Sequence, residues 1–279
     1  MNFVFVADYF SDEILGGGEL NNEEFISLLS TLSTVKKIKS RDLTEEYLEK
    51  NNKKNYIISN FMHLSEEIKK RLTKMRYVIY EHDHKYLKSR NPALYEDYIA
   101  PKEEIVNYNF YKSAITIFCQ SKFHSEIVKK NLGLDNIINL GGNLWSDESL
   151  ALMKKNCQKQ KARKYSIMHS SIEHKNTRDA VVYCEYNKIQ YELIPPSPYN
   201  KFLDNLSNNF KLIFLPKTPE TLSRIVVEAR MMNMGVVTNS RVGAASEPWF
   251  NEKGKKLIEI MRNKKTEILE KVVEAFTNG

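Results

Sequence analysis

The sequence predicts an α/β fold made of two doubly wound parallel sheets in succession. Three observations predict it. Short apolar runs rich in β-branched and aromatic residues alternate with stretches of helical period along most of the chain. The alternation breaks once, at Gly141 and Gly142, a pair suited to a hinge, and then resumes. The chain has 279 residues, 42% hydrophobic and 28% charged, enough for two packed cores. The expected boundaries are a first Rossmann-like domain over 1–143, a second over 144–254, and a C-terminal helix over 255–279. The two domains are expected to face a cleft, with ligands at the carboxyl ends of the strands.

The elements follow in order. "NFVFVADYF" reads as a buried strand, "GGGE" as a Gly-rich turn and "LNNEEFISLLSTLS" as a helix with Leu20, Phe25, Leu28, Leu29 and Leu32 at helical spacing. "VKKIKS" is a strand and "LTEEYLEKN" a helix; "NYIISNF" is a strand and "LSEEIKKRLTKM" a helix opened by Ser65. "RYVIYEHDH" is a strand with a polar end, on which alternation puts His82 and His84 on one side and Asp83 on the other. "PKEEIVNYNFYKSA" is helical, "ITIFCQS" a strand, and "SKFHSEIVKKNLG" a helix closed by Gly133. After "NIINLGGN" the pattern restarts with "KYSIMHSS" as strand, "NTRDAVVYCEYN" as helix, "QYELIPP" as strand, "YNKFLDNLSNN" as helix and "FKLIFLPK" as strand. A further helix, the strand "GVVTNS" and a lysine-rich amphipathic helix from about Lys255 to Phe276 complete it.

Composition narrows the function. The net charge of +7 favours an anionic partner in a general way: a nucleotide phosphate, a nucleic acid or an anionic membrane. Cys119, Cys157 and Cys184 are sparse and odd in number, which argues against a disulfide framework or a structural zinc site and for a reducing compartment. "MNFVFVADYF" lacks a basic flank and is not a secretory signal, and no stretch is long and apolar enough to span a bilayer. The expectation is a cytoplasmic protein, soluble or peripheral at a membrane. No Gly-x-Ser-x-Gly or Cys–His pair supports nucleophilic hydrolysis.

The chemistry concentrates between Phe214 and Ser240. Glu228 lies inside an apolar helical run, eight positions after Glu220. An ionised carboxylate there needs a partner. Either Arg224, one turn earlier, supplies it, or a ligand does. Glu220 falls in the loop at a strand's carboxyl end. Thr221, Leu222 and Ser223 stand at the start of the helix, where open N–H groups and hydroxyls suit a phosphate. Glu228 could then take the hydroxyls of a ribose, as acidic residues do in nucleotide folds.

"PETLSRIVVEARMMNMGVVTN" resembles the E-x7-E segment of retaining nucleotide-sugar glycosyltransferases of family-4 type, with the GT-B fold, and "SRVGAASE" resembles the Gly-containing loop and Glu that follow it. The resemblance implies that the second domain binds the donor and the first the acceptor, and that the last helix packs back on the first domain. It implies retention of configuration without a metal. It makes Gly17 and Gly18 neighbours of the donor phosphates. Lys175, in "HSSIEHKN", matches a phosphate-binding lysine. Ser170 and Ser171 replace the basic residue usually found before it, and Arg178 or Arg241 are the candidates to substitute. "YEHDH" resembles a strand end facing the reacting sugar.

The expected catalytic residues are therefore Glu220, His82 and Asp83. Those expected to bind the donor are Gly17, Gly18, Lys175, Thr221, Leu222, Ser223 and Glu228. No metal and no cofactor is expected; a UDP- or GDP-sugar is the substrate. The acceptor is expected to be a saccharide or lipid-linked saccharide, with peripheral membrane contact as a further partner. Two alternatives stay open: glycosylation of DNA bases, marked by the positive balance, and a sugar- or nucleotide-binding module without turnover.

Overall fold

A computed structural model describes residues 1–277, which divide into two compact units, Met1–Leu144 with the described residues from Lys264 onward, and Trp145–Asn263. The first unit opens with β1 (Asn2–Ala7), α1 (Gly17–Ser30), β2 (Thr34–Lys39), α2 (Glu45–Lys50), β3 (Asn55–Ile58), α3 (Glu66–Leu72) and β4 (Tyr77–Tyr80). It continues with α4 (Tyr108–Ser113), β5 (Ile117–Cys119), α5 (Lys122–Leu132) and β6 (Ile137–Asn139). The sheet order is β2-β1-β3-β4-β5-β6, every pair parallel. Strand alternation fills both faces. Val4, Val6, Tyr56, Ile58, Tyr77 and Ile79 join one core, while Phe3, Phe5, Ile57, Val78 and Tyr80 join the other. With helices on both faces the sheet is doubly wound.

The second unit runs α6 (Asp147–Asn156), β7 (Ala162–Met168), α7 (Thr177–Tyr186), β8 (Tyr191–Ile194), α8 (Tyr199–Leu206), β9 (Asn209–Phe214), α9 (Arg224–Met231) and β10 (Gly235–Thr238). Its sheet order is β10-β9-β7-β8, again all parallel. Leu212 and Phe214 face a core shared with α6, α8 and α9, while Ile167 and Ile213 face Ala180 and Cys184 of α7. The α/β class with two doubly wound parallel sheets is as the sequence predicts.

The last helix, α10 (Gly254–Thr277), contributes to both units. Leu257, Ile258 and Met261 enter the core of the second. Ile268, Val272 and Phe276 enter a core of the first, where the ring of Phe276 meets that of Phe3 edge-on at 5.5 Å.

Three local readings are corrected. α1 begins at Gly17, so Gly17 and Gly18 form its first turn and do not belong to a loop. β4 stops at Tyr80, so Glu81 to His84 form a loop and strand alternation does not order His82, Asp83 and His84. The segment read as one helix from Pro101 is a short 3-10 turn, Lys102–Glu104, followed by α4 after Asn107 in a left-handed conformation. The sequence reading missed α6, whose cap is Ser146 accepting from the Ser149 N–H.

Candidate functional site

In each sheet the chain reverses its direction of travel at one strand pair. In the second unit β7 leads to β8 on one side, and the chain then returns to β9 on the other, so the switch lies between β7 and β9. Open parallel sheets bind ligands beyond the carboxyl ends of such a pair. The loops there are tied together by backbone hydrogen bonds. The Lys217 N–H donates to His174 O at 2.9 Å, the Glu220 N–H to Arg241 O at 2.8 Å, and the Gly243 N–H to Glu220 O at 2.9 Å.

This bracing brings two of the expected residues together. Lys175, at the end of the 3-10 turn after β7, puts Nζ 2.7 Å from Oε1 of Glu220, in the loop after β9. The side chains keep 27% and 14% of their exposure, so the ion pair stands at an accessible edge. Arg241 adjoins it through its carbonyl, and Arg178 is exposed in the first turn of α7.

The start of α9 differs from expectation. The helix begins at Arg224, and Thr221 lies outside it. Leu222 is fully buried in the core, so only its backbone can serve a ligand, and its carbonyl already accepts from the Ala244 N–H at 2.9 Å. Ser223 is the N-cap residue at φ 76, with no side-chain cap bond. It is 4% exposed, and its Oγ has no hydrogen-bond partner among the described residues. A buried hydroxyl left unpaired is unusual. Here it stands at a helix end whose dipole favours an anion.

Glu228 is 3% exposed and held by the protein itself. Its Oε1 accepts from the Trp145 indole N–H at 3.0 Å and from the Tyr199 hydroxyl at 2.7 Å, and Arg224 Nε stands 3.5 Å away. Burial, and then the Glu228 charge, raise the Tyr199 phenol, which therefore stays protonated as a donor. The Arg224 guanidinium also lies over the Trp145 ring, 4.5 Å from its centroid. The internal answer to the burial of Glu228, the Arg224 pair, is present. Trp145 and Tyr199 were missed by sequence reading because nothing local marks them.

In the first unit the switch lies between β1 and β3. Gly18 sits against the loop after β4: a Cβ there would meet His82 Cγ at 3.7 Å and Asn60 Nδ2 at 3.9 Å. His82 is engaged at both ring nitrogens, Nε2 with Asn22 Oδ1 at 2.7 Å and Nδ1 with the Gln120 amide. Asp83 pairs with Arg90, whose Nε is 2.6 Å from Oδ2. Burial would raise the Asp83 carboxyl, but Lys85, Arg90 and His84 outweigh it and hold it below its usual range.

Behind them Glu81 and Lys85 form a fully buried ion pair, and Tyr111 donates its hydroxyl to Glu81. The Glu19 carboxylate, near Asn60 at 3.5 Å, is raised by its burial. Thus Gly18 and His82 are brought together, while Asp83 is turned to Arg90. No cluster of three or more metal-ligating side chains occurs among the described residues.

No family model and no curated protein matches the sequence. Solved structures do match its fold. Alr3699/HepE from Anabaena, in complex with UDP and glucose, matches at a TM-score of 0.55 and 12% identity, covering 96% of this chain and 90% of that one. The lipopolysaccharide outer core galactosyltransferase WaaB, in its apo form, matches at 0.54 and 10% identity, covering 98% and 91%. The UDP-GlcNAc 2-epimerase of Methanocaldococcus jannaschii, in complex with UDP-GlcNAc and UDP, matches at 0.53 and 13% identity, covering 100% and 99%. At such identities the likeness shows a shared fold, the GT-B class expected from the sequence. A transferase and an epimerase share it, so the reaction must be argued from the site.

Proposed function

We propose that the protein is a glycosyltransferase that takes a nucleoside diphosphate sugar as donor, binding its diphosphate at the β7/β9 switch of the second unit. The Lys175–Glu220 pair carries this reading. A cation and a carboxylate from two different loops meet at the strand pair where open sheets bind nucleotides, next to the amide end of α9 and the unpaired hydroxyl of Ser223. The diphosphate replaces Glu220 as the partner of Lys175, with Arg241 or Arg178 as the second cation. Thr221, Leu222 and Ser223 contribute backbone amides and the Ser223 hydroxyl. The contacts of Glu228 described above fall on Oε1, and the ribose is assigned to its other oxygen.

The fold's UDP-bound relatives, HepE and the epimerase, favour a UDP-sugar over a GDP-sugar. The proposed chemistry is family-4-like: retaining and independent of metal. The bond from the sugar's anomeric carbon to the diphosphate breaks and the bond to an acceptor oxygen forms on the same face. The acceptor's proton ends on the leaving phosphate oxygen, whose charge Lys175 and the α9 amides stabilise. Glu220, freed from Lys175, faces the sugar. The acceptor, a saccharide or lipid-linked saccharide, is assigned to the first unit, along the His82–Asp83 loop.

Thermal shift and calorimetry with UDP-glucose, UDP-GlcNAc and GDP-mannose test the reading on the wild type and Lys175→Ala. A UDP-sugar should stabilise the wild type and bind the variant at least about tenfold more weakly. If no nucleotide sugar stabilises the wild type, the reading fails. Product analysis then separates sugar transfer from epimerisation and from binding without turnover.

A further inference from the structure

A second feature of the second unit lies at the opposite end of its sheet. Between Lys154 and Lys164 the chain carries Lys154, Lys155, Lys159, Lys161, Arg163 and Lys164, with no acidic residue among them. The structure sorts these cations into two groups. Lys159 is used internally, bonded to Asp204 at 3.1 Å, and Lys161 donates to the carbonyls of Asn156 and Ser207 at 3.2 and 2.9 Å. Lys154, Lys155, Arg163 and Lys164 are exposed and form no salt bridge among the described residues. Asp204, Glu192 and Glu185 are the nearby acids, Glu185 accepting from the Tyr191 hydroxyl at 3.2 Å. Asp204 is engaged by Lys159, and Glu192 accepts from Asn209 at 2.9 Å.

The free cations therefore lie at the end of α6 and the start of β7, where Lys211 of β9 also stacks on Tyr165 at 5.3 Å. Tyr186, 86% exposed, ends α7 shortly before β8, and β8 enters the sheet with Tyr191 beside Tyr165. It reaches the same end of the sheet, following Val182 and Tyr183, which are 53% and 38% exposed on the same helix. A basic rim beside an exposed tyrosine and an aliphatic side chain matches the headgroup layer of an anionic bilayer: cations for the phosphates, and amphipathic and apolar groups for the interface. A polynucleotide would use the same cations but gains nothing from exposed valine.

We propose that this end of the second unit docks on an anionic lipid surface. The inference is independent of the nucleotide-sugar site, which lies beyond the far end of β7. Seven residues at about 3.3 Å each put roughly 20 Å of strand between them.

The test uses the full chain and flotation with vesicles of phosphatidylcholine alone or with about one third phosphatidylglycerol. The wild type should float with the anionic vesicles only, and less so at high salt. The combined variant Lys154→Gln, Lys155→Gln, Arg163→Gln, Lys164→Gln should lose at least about tenfold in binding. A control with the same loss of net charge, Lys53→Gln, Lys70→Gln, Lys74→Gln, Lys112→Gln, should keep it. Stabilisation by UDP-glucose should be the same in all three proteins, so a failure of the donor reading shows separately. Absence of vesicle binding by the wild type, or equal loss in both variants, overturns the proposal. So does binding to a duplex oligonucleotide in place of vesicles.

Discussion

The indole of Trp145 donates to the carboxylate of Glu228 at 3.0 Å, across 83 positions of sequence, while Arg224 covers the same indole from its own helix. Glu228 is thus a structural acceptor before it is anything else. Glu228→Ala would strand the indole, the Tyr199 hydroxyl and the Arg224 cation together. We expect a loss of about 3–5 kcal/mol in urea unfolding. Glu228→Gln keeps an acceptor oxygen and should cost clearly less. Equal losses would mean that the three donors find other partners.

Lys175 and Glu220 should behave in the opposite way. Their pair is partly exposed, and Lys175→Ala should change stability by no more than about 1 kcal/mol. Its effect should appear in donor affinity. Glu220→Gln should leave UDP-sugar binding within a few fold and lower turnover, because the proposed role of Glu220 is at the sugar. Comparing unfolding curves with donor titrations for the two variants checks both statements.

The pH dependence of stability follows from His84 and His124. Both are fully buried. Burial, and then its neighbour His124, depress His84 from 6.5 to about 3. Burial likewise depresses His124 to about 3, against a partly compensating bond to the Asp83 carbonyl. The folded state thus keeps both neutral where the unfolded chain would bind protons. Their contribution is complete above the unfolded value and is lost as pH falls from there towards the folded one. By about pH 5 the loss is on the order of 2 kcal/mol per histidine. Urea unfolding at a series of pH values should show the decline, and replacing either histidine by Gln should flatten it.

Two glycines should respond with opposite sign to alanine. Gly254 has φ +57, and a Cβ there would stand 3.1 Å from Cys157 Sγ, so Gly254→Ala should cost about 1–2 kcal/mol. Gly18 lies in the first turn of α1, and its nearest new contact would be at 3.7 Å. Gly18→Ala should be neutral or stabilising by up to about 1 kcal/mol. Melting curves of the two variants decide it.

Fold class was legible because buried parallel strands are short, apolar and bounded by polar turns, and β1, β3, β4 and β9 all satisfy this. The helix α6 escaped because its single strong signal, Ser146 before Asp147 and Glu148, sits beside a glycine pair that reads as a linker. At the site, E-x7-E spacing located the two carboxylates but not their partners. The spacing leaves open whether Arg224 or a ligand answers Glu228, and the indole and phenol that complete the answer come from distant elements. His82 was legible as a polar residue at the end of a strand, although the strand stops at Tyr80. That both of its nitrogens are engaged depends on Asn22 and Gln120, which no local pattern joins to it.

The helix α10 has a consequence for how the chain comes to be folded. Phe3 and Phe5 of β1 bury against Ile268, Val272 and Phe276, which come far later in the sequence. Phe25, Ile26 and Leu29 of α1 cover part of that face, and α10 completes it, so truncation before Ile268 should leave apolar surface bare and yield a chain that clings to chaperones.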